Sequence, residues 1–405
     1  MTEKELTLDS VYKASYVLRD VVRKTDVLYA PKLAPGLELY LKTENLQVTG
    51  SFKVRGACYK MSQLSAEEKA KGVIACSAGN HAQGVALAAQ KNGIRAVICL
   101  PNGAPISKVE ATRSYGAEIC LVDGVYDDAY QKALELQNEF GYTFIHPFDD
   151  ADVIAGQGTI ALELIEQVPD LDAVLVPIGG GGLISGIAFT LKSLNPKVKV
   201  YGVQASGAPS MLNSIHDSHI EALDSVFTIA DGIAVKQPGS LTYELCSRYV
   251  DEIVTVTDDE ISAAILALME RHKLVTEGAG AVAVAAAMFG KVDLAGKKAV
   301  CLLSGGNIDV TILSRVIARG LLMSGRSCQL LIELVDKPGQ LMQVSEIIAR
   351  EGGNVTAVFH EHTCEGADVN GCYLRLTLET RNFDHIKAIK DALCGAGFKL
   401  LEREP

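Results

Sequence analysis

Apolar runs of strand length alternate with amphipathic helical patterns along roughly the first 320 of the 405 residues. The clearest runs are 96–100, 118–122, 173–178, 198–203 and 298–303. Strands that are apolar on both faces and separated by helices run parallel, because each helical crossover returns the chain to the same edge of the sheet. The pattern therefore predicts α/β architecture, with right-handed βαβ units in an open, mostly parallel sheet.

Composition excludes several classes of function. A chain of 405 residues with 48% hydrophobic content can bury large cores in about two or three domains. Its net charge of −11 argues against nucleic-acid binding, which needs a basic face. The ten cysteines lack a regular framework and read as reduced core residues of a cytoplasmic protein. The longest apolar stretch, 278–290, is too short and too rich in alanine and glycine to span a bilayer, so no membrane partner is expected.

A lysine within residues 48–57 is the first candidate for chemistry. Lys53 directly follows the aromatic residue Phe52 at a predicted helix start, and glycines flank the segment. An amine near the positive end of a helix dipole and shielded from water loses its proton easily, as a Schiff-base lysine must. Most lysines are solvated surface charges, so this segment alone leaves both interpretations open.

Three further segments end apolar strand patterns. The loop at 77–81 precedes a predicted helix and offers free backbone amides to a carboxylate. The segment 177–186 contains four consecutive glycines, whose N–H groups can surround a phosphate. The segment 302–307 leaves the hydroxyl of Ser304 at the carboxyl end of a strand, where ligands of open α/β sheets bind. Each segment taken alone can equally be a tight turn.

Competing motifs are missing from the chain. The glycine run lacks the Gly-x-Gly-x-x-Gly spacing of dinucleotide-binding folds, because Ile184 and Ser185 occupy the positions where the last glycine would stand. The sequence also contains no Walker phosphate loop, no Gly-x-Ser-x-Gly elbow and no His-Glu-x-x-His. Nucleotide hydrolysis and serine hydrolase chemistry are therefore unsupported.

Taken together and in this order, the four segments resemble those of fold type II pyridoxal-phosphate enzymes. The motifs Gly-Ser-Phe-Lys-Val-Arg-Gly-Ala, Ser-Ala-Gly-Asn-His-Ala-Gln-Gly, Gly-Gly-Gly-Gly-Leu-Ile-Ser-Gly and Ser-Gly-Gly-Asn-Ile-Asp are similar to those of the threonine dehydratase (threonine ammonia-lyase) family. The resemblance implies pyridoxal 5'-phosphate as cofactor, bonded covalently to Lys53, with Phe52 against its ring. It also implies that Asn80 hydrogen-bonds the ring hydroxyl and that Ser304 faces the ring nitrogen.

The same resemblance assigns two further sets of contacts. The phosphate would be held by Gly179, Gly180, Gly181, Gly182 and Leu183. The substrate carboxylate would be surrounded by Ser77, Ala78, Gly79, Asn80 and His81.

The implied reaction is the deaminating dehydration of L-threonine to 2-oxobutanoate and ammonia, and also of L-serine to pyruvate, with Lys53 and Ser304 as catalytic residues. A neutral serine at position 304 makes the cofactor ring a weaker electron sink than an aspartate would, which suits prompt β-elimination. Related serine racemases carry a second serine where this chain has Ala78. They bind a divalent metal at positions that Gln204, Ala208 and Ser210 occupy here, so we expect poor racemisation and no such metal.

Two alternatives stay open. One is an L-serine dehydratase or another pyridoxal-phosphate enzyme of β-elimination or β-replacement. The other is a catalytically inactive amino-acid-sensing protein, although the presence of Lys53, Asn80 and Ser304 weighs against it. A small amino acid is the expected substrate, and a homodimer or homotetramer is the expected assembly.

Domain boundaries follow from the resemblance and from a change in composition. We expect a catalytic domain at 1–322, built as two open twisted parallel-sheet subdomains, the smaller at about 48–150. A linker at 323–327 precedes a region, 328–405, whose predicted elements follow the order β-α-β-β-α-β. This α+β, ferredoxin-like order resembles an ACT domain, a regulatory module that binds amino acids.

The ACT resemblance implies an effector, for which isoleucine or valine is our expectation. The candidate contacts are Asp336, Gly339, Gln340, Leu341 and Asn354. The alternative is a domain that only drives dimerisation. His360, His362 and Cys364 alternate along a predicted strand, but a solvated or intersubunit strand face explains them, and we expect no metal site.

Overall fold

The chain divides into two compact units, Met1–Leu313 and Ser314–Pro405. The computed structural model describes residues 5–361 and 371–401. The division falls within a helix, Val310–Met323, whose last residue is the first of the predicted linker at 323–327. None of the helices in these two described ranges is long and apolar enough to cross a membrane.

The first unit alternates strands and helices in chain order. Its strands are β1 (Val27–Tyr29), β2 (Glu38–Lys42), β3 (Val73–Cys76), β4 (Ala96–Pro101), β5 (Glu118–Val122), β6 (Thr143–Phe144), β7 (Ala173–Pro177), β8 (Lys199–Ala205), β9 (Glu252–Val256) and β10 (Lys298–Leu302). The helices, up to the one that crosses into the second unit, are α1 (Leu8–Leu18), α2 (Lys53–Ser62), α3 (Ala66–Lys71), α4 (Asn80–Asn92), α5 (Ile106–Ser114), α6 (Tyr126–Phe140), α7 (Ala151–Gln167), α8 (Gly182–Leu194), α9 (Ser210–His216), α10 (Ser240–Tyr249), α11 (Asp258–His272), α12 (Gly278–Met288) and α13 (Val310–Met323).

Two sheets organise this unit. The larger has the order β1-β2-β10-β7-β8-β9 and is parallel except for the antiparallel pair β1 and β2. The smaller has the order β5-β4-β3-β6 and is wholly parallel. The strands β3 and β7 are buried along their whole length, as the apolar runs predicted. The predicted α/β class with two mostly parallel sheets is confirmed.

Glycines let α7 pack directly against two other helices. A Cβ added to Gly156 would lie 2.7 Å from the Cα of Gly56, so α7 and α2 meet backbone to backbone. A Cβ added to Gly186 would lie 2.3 Å from the carbonyl oxygen of Ile154, which brings α8 equally close to α7. Because no side chain fits between the helices, α7 fixes the positions of α2 and α8, and with them the positions of the first residues of both helices.

A buried ionic network anchors α2 to α7. The guanidinium of Arg55 lies 2.7 Å from a carboxylate oxygen of Glu44 and 2.6 Å from one of Glu163. Lys42 donates to the second oxygen of Glu163 over 2.5 Å. Burial alone would raise the pKa of the Glu44 carboxyl, but the charge and hydrogen bonds of Arg55 lower it below its usual value. These paired charges fix α2 at Arg55, two residues after Lys53.

The second unit is an antiparallel sheet covered by two helices. Its elements are β11 (Ser327–Val335), α14 (Gln340–Glu351), β12 (Asn354–Glu361), β13 (Gly371–Glu379), α15 (Phe383–Gly395) and β14 (Lys399–Leu401). The strand order is β12-β13-β11-β14. Alternate residues of β13, from Cys372 to Leu378, are buried, so one face of the sheet packs against the helices. The predicted α+β, ferredoxin-like arrangement is confirmed.

Breaking the Arg55 network tests its weight in the fold. Arg55→Met leaves the buried Glu44 carboxylate without its guanidinium partner and leaves Glu163 with Lys42 alone, and we expect the free energy of unfolding to fall by about 3–5 kcal/mol. The matched control is Lys24→Met, which removes the exposed ion pair to Glu166 and should cost about 0–1 kcal/mol. Denaturant titration followed by circular dichroism measures both, since the chain lacks tryptophan. Equal losses in the two variants would contradict the structural role of Arg55.

Candidate active site

The Lys53 segment and the Ser304 segment are paired through their backbones. Ser51 forms a β-bridge with Gly305. The N–H of Phe52 donates to the carbonyl of Ser304 over 3.1 Å, and the N–H of Gly306 donates to the carbonyl of Gly50 over 2.9 Å. These bonds place Lys53, the first residue of α2, beside the carboxyl end of β10.

The Lys53 amine hydrogen-bonds to the backbone, and no carboxylate of the described residues contacts it directly. Its Nζ donates to the carbonyl oxygen of Pro147 over 2.9 Å and lies 5.3 Å from the centroid of the Phe52 ring. Burial lowers the pKa of Lys53 to about 8, and the charge of Glu277 opposes this shift only in part. The amine therefore loses its proton more easily than an ordinary lysine, as its surroundings in the sequence predicted.

The third strand-end loop reaches the same point through Asn80, the first residue of α4. The Asn80 side-chain amide donates to Glu277 over 2.7 Å, and its oxygen accepts from Asn307 over 2.8 Å. Opposite bonds at the two ends of the amide fix its orientation. The amide nitrogen carries two hydrogens, and within the described residues it donates only to Glu277, which leaves the second hydrogen available to a ligand.

Glu277 is a functional candidate that the motif search missed. It directly precedes α12 and is buried, and its own N–H donates to the carbonyl of Gly305 over 3.1 Å. Burial raises the pKa of its carboxyl to about 7, with a smaller contribution from Asp231. The sequence does carry one signal: Glu277 is the only charged residue in the otherwise largely apolar stretch 274–290, and the next charged residue is Lys291.

Ser304 contacts the first turn of α12, the helix that Glu277 precedes. Its side chain is buried, and its hydroxyl donates to the carbonyl oxygen of Ala279 over 3.3 Å. The backbone pairing and the contacts of Glu277 therefore bring Lys53, Asn80 and Ser304 to one place, as predicted.

The glycine loop between β7 and α8 presents backbone N–H groups without protein acceptors. The N–H groups of residues 179–183 donate no hydrogen bond to any residue in the described parts of the chain. Gly181 has φ +98°, a conformation that favours glycine. A run of free N–H groups at the start of a helix is an anion site, because the donors and the helix dipole act together. The loop fits a phosphate group.

Close packing on Phe148 explains why this loop consists of glycine and ties it to Lys53. A Cβ added to Gly180 would lie 2.4 Å from the Phe148 ring, and one added to Gly182 would lie 2.8 Å from the Phe148 backbone. Phe148 follows Pro147, whose carbonyl holds the Lys53 amine. The anion site and the amine are thus adjacent along one short segment.

The 77–81 loop is ordered by its own hydrogen bonds. The hydroxyl of Ser77 accepts from the N–H of Gly79 over 3.2 Å. The N–H groups of Ala78 and Asn80 donate to no described residue and remain available to an anion. The ring of His81 is buried, with Nε2 2.8 Å from the carbonyl oxygen of Ile145. Burial, reinforced by the charge of Lys53, lowers the pKa of His81 to about 3, so its ring is neutral.

The predicted effector contacts separate in the structure. Asp336 follows β11, and Gly339, with φ +93°, precedes Gln340 and Leu341 at the start of α14. Asn354 begins β12 at the opposite end of the sheet, where its side chain donates to Glu379 over 2.7 Å. Within one chain, Asn354 therefore does not join the other four residues.

Comparison with known proteins agrees with this geometry. Residues 18–305 match the family of pyridoxal-phosphate-dependent enzymes. An L-threonine ammonia-lyase of Thermotoga maritima is 48% identical over 397 residues, which cover 98% of this chain and 99% of that protein. The catabolic L-threonine dehydratase TdcB of Escherichia coli is 47% identical over 316 residues, or 77% of this chain and 96% of that protein.

A solved structure shares the fold. The processed form of threonine deaminase isoform 2 from Solanum lycopersicum superimposes with a TM-score of 0.73 at 39% identity, covering 79% of this chain and 98% of that one. The family match alone covers well over half of the 405 residues. This chain belongs to the family of pyridoxal-phosphate-dependent enzymes.

Proposed function

We propose that the chain is an L-threonine ammonia-lyase that converts L-threonine to 2-oxobutanoate and ammonia. The observation that carries the proposal is the Lys53 amine, whose pKa is lowered by burial to about 8 and which lies beside both the Ser304 loop and the free N–H groups of the glycine loop. The names of the relatives support threonine as the substrate.

The residues present fit pyridoxal 5'-phosphate. The cofactor, when bound, withdraws electrons from the Cα of an amino acid and so allows a Cα proton and a β-substituent to leave. The proposed contacts are Lys53 for the aldehyde, Phe52 for the ring face, Asn80 for the ring hydroxyl, Ser304 for the ring nitrogen, and Gly179, Gly180, Gly181, Gly182 and Leu183 for the phosphate.

Lys53 is the proposed general base. A group that moves protons works best when its pKa lies near the working pH, and burial brings the pKa of Lys53 to about 8. The Pro147 carbonyl accepts one hydrogen bond from the amine, which leaves the nitrogen lone pair free once the proton is lost. Lys53 can therefore take the Cα proton of a bound amino acid, while the β-hydroxyl leaves with a proton as water.

Glu277 and Asn307 are proposed positioning residues. They engage opposite ends of the Asn80 amide and thereby aim its remaining hydrogen at the cofactor hydroxyl. On the other side, the loop of Ser77, Ala78, Gly79, Asn80 and His81 is the proposed binding site for the substrate carboxylate, through the free backbone N–H groups. Ala78 offers no proton-transfer group, which favours elimination over racemisation.

A comparison of the kinetics with L-threonine and with L-serine tests the substrate. We expect kcat/KM to be higher for L-threonine, because one additional methyl group in an apolar pocket is worth about 1–3 kcal/mol, or about 10- to 200-fold. Formation of 2-oxobutanoate and of pyruvate, each measured at several concentrations of its substrate, gives the ratio. A preference for L-serine would overturn the substrate assignment and favour the L-serine dehydratase alternative. No turnover of either would favour an amino-acid-sensing protein.

Cofactor capture tests the lowered pKa of Lys53. Only the neutral amine attacks an aldehyde, so the rate at which the cofactor-free protein binds pyridoxal 5'-phosphate should rise with pH and level off above about 8. At pH 7 about one amine in ten is then neutral, against roughly one in three thousand for an ordinary lysine. Stopped-flow absorbance of the bound cofactor measures the profile.

A matched pair of variants separates this effect from the titration of the cofactor. Glu277→Gln removes the charge that raises the pKa of Lys53, so the midpoint should move to lower pH. Glu166→Gln removes an exposed carboxylate that pairs with Lys24 and does not shift the pKa of Lys53, so it should leave the midpoint unchanged. A wild-type midpoint near pH 10, or identical profiles in the two variants, would contradict the assignment.

We further propose that the second unit binds isoleucine or valine as an effector. The match to the Thermotoga maritima lyase covers 98% of this chain and so includes this unit, and the glycine turn at Gly339 leaves a helix start exposed. Asp336, Gly339, Gln340 and Leu341 are the candidate contacts on one chain, and Asn354 can contribute only from elsewhere. A homodimer or homotetramer, and a cytoplasmic location, stay predictions from sequence.

Isoleucine provides the test of this regulatory role. The apparent KM for L-threonine should change when isoleucine is present, because an effector acts through different affinities for two states of the protein. Steady-state kinetics with isoleucine, and with glycine as a small amino acid that lacks the branched side chain, measure the effect. Identical kinetics with and without isoleucine and valine would leave the unit with a dimerisation role.

A further inference from the structure

Three side chains with different metal-binding atoms converge at one end of the second unit. A carboxylate oxygen of Asp336, a ring nitrogen of His360 and the sulfur of Cys372 all lie within 4.8 Å of one another. The ring nitrogen Nε2 of His360 is 3.0 Å from the sulfur of Cys372. Asp336 and His360 are exposed, whereas Cys372 is buried, so the cluster lies at the edge of the core and is open to solvent on one side.

The strand register places the three residues on one face of the sheet. Cys372 pairs with Leu334 on β11, and Asp336 lies two residues beyond Leu334. His360 on β12 pairs with Leu374, which lies two residues beyond Cys372 on β13. Because residues two apart in a strand share a face, Cys372 and His360 lie on the same side of the sheet, and Asp336, directly after β11, reaches them at the same end. The backbone, rather than a chance side-chain rotamer, creates the cluster.

The donor set selects the class of ion. A thiol sulfur, an imidazole nitrogen and a carboxylate oxygen are the ligands that Zn²⁺ uses, whereas Ca²⁺ and Mg²⁺ prefer oxygen throughout. In a tetrahedral zinc site the bond lengths imply about 3.6 Å between the sulfur and the nitrogen. The distance between these atoms of Cys372 and His360 is 3.0 Å, so a small rotation of the exposed imidazole suffices to admit the ion.

We propose that Asp336, His360 and Cys372 form a binding site for Zn²⁺ in the second unit, with a water molecule or an added ligand in the fourth position. The ion would join the ends of β11, β12 and β13. This differs from the expectation of no metal that the sequence supported. His362 and Cys364, the two other members of the predicted strand cluster, lie outside the described residues.

The proposal concerns a different unit from the catalytic residues and does not depend on the proposed function. It does intersect with the effector site, because Asp336 is a candidate contact in both. Zinc coordination would commit the Asp336 carboxylate to the ion and leave effector binding to the turn residues that follow it.

Cobalt(II) titration of the full-length, cofactor-loaded protein tests the site. Co²⁺ occupies zinc sites and gives a strong charge-transfer band when a thiolate is bound. We expect one Co²⁺ per chain with this band, and displacement of Co²⁺ by Zn²⁺. Cys372→Ser should abolish the band, and His360→Gln and Asp336→Asn should each weaken binding at least about tenfold. The matched control Cys394→Ser replaces an exposed cysteine of the same unit and should bind as wild type.

Zinc X-ray absorption of the wild-type protein keeps the test independent of variant folding. A coordination shell of one sulfur with nitrogen and oxygen ligands supports the site when Cys394→Ser leaves it unchanged. Absence of stoichiometric binding, a shell of nitrogen and oxygen alone, or a thiolate band that survives in folded Cys372→Ser would overturn the proposal.

Discussion

The short backbone pairing between residues 50–52 and 304–306 is the constraint on which the site depends. These bonds hold Lys53 beside Ser304, although about 250 residues separate the two in the chain. The Arg55 network and the close contact of α2 with α7 keep the same helix from shifting. Glu277 then extends the pairing, because its backbone binds Gly305 while its carboxylate binds Asn80. The strand-end loops therefore meet around one amine through fixed backbone geometry.

Burial sets the chemistry of that amine. Removal of water disfavours charge on both Lys53 and Glu277, and it moves their pKa values toward each other, to about 8 and about 7. Both groups can thus change protonation near neutral pH, where an exposed lysine and an exposed glutamate would remain fixed as a charged pair. His81 responds to the same environment by staying neutral, which spares the site a second positive charge next to Lys53.

The sequence predicted those parts of the structure that local patterns determine. Buried strands, the glycine loop and the order of elements in both units follow from residue periodicity and turn chemistry, and they are confirmed. Motifs did not identify Glu277, because its importance comes from a contact with Asn80, 197 residues away, and a single charge in an apolar run does not name its partner. It also grouped His360 with its neighbours along the strand, whereas the register brings His360 to Cys372 and Asp336. Contacts across strands depend on register, which residue spacing within one strand cannot supply.

Lys53 is the proposed attachment point of the cofactor, and it is not the only lysine with a buried amine. Lys42 offers an internal comparison: burial lowers its pKa as well, but its amine is occupied by Glu163, Gln167 and the carbonyl of Thr25. Borohydride reduction of the cofactor-loaded protein, followed by mass spectrometry of its peptides, identifies the modified residue directly. We expect one modified lysine per chain, at Lys53. Modification at Lys42 or any other lysine, or none in protein saturated with cofactor, would contradict it.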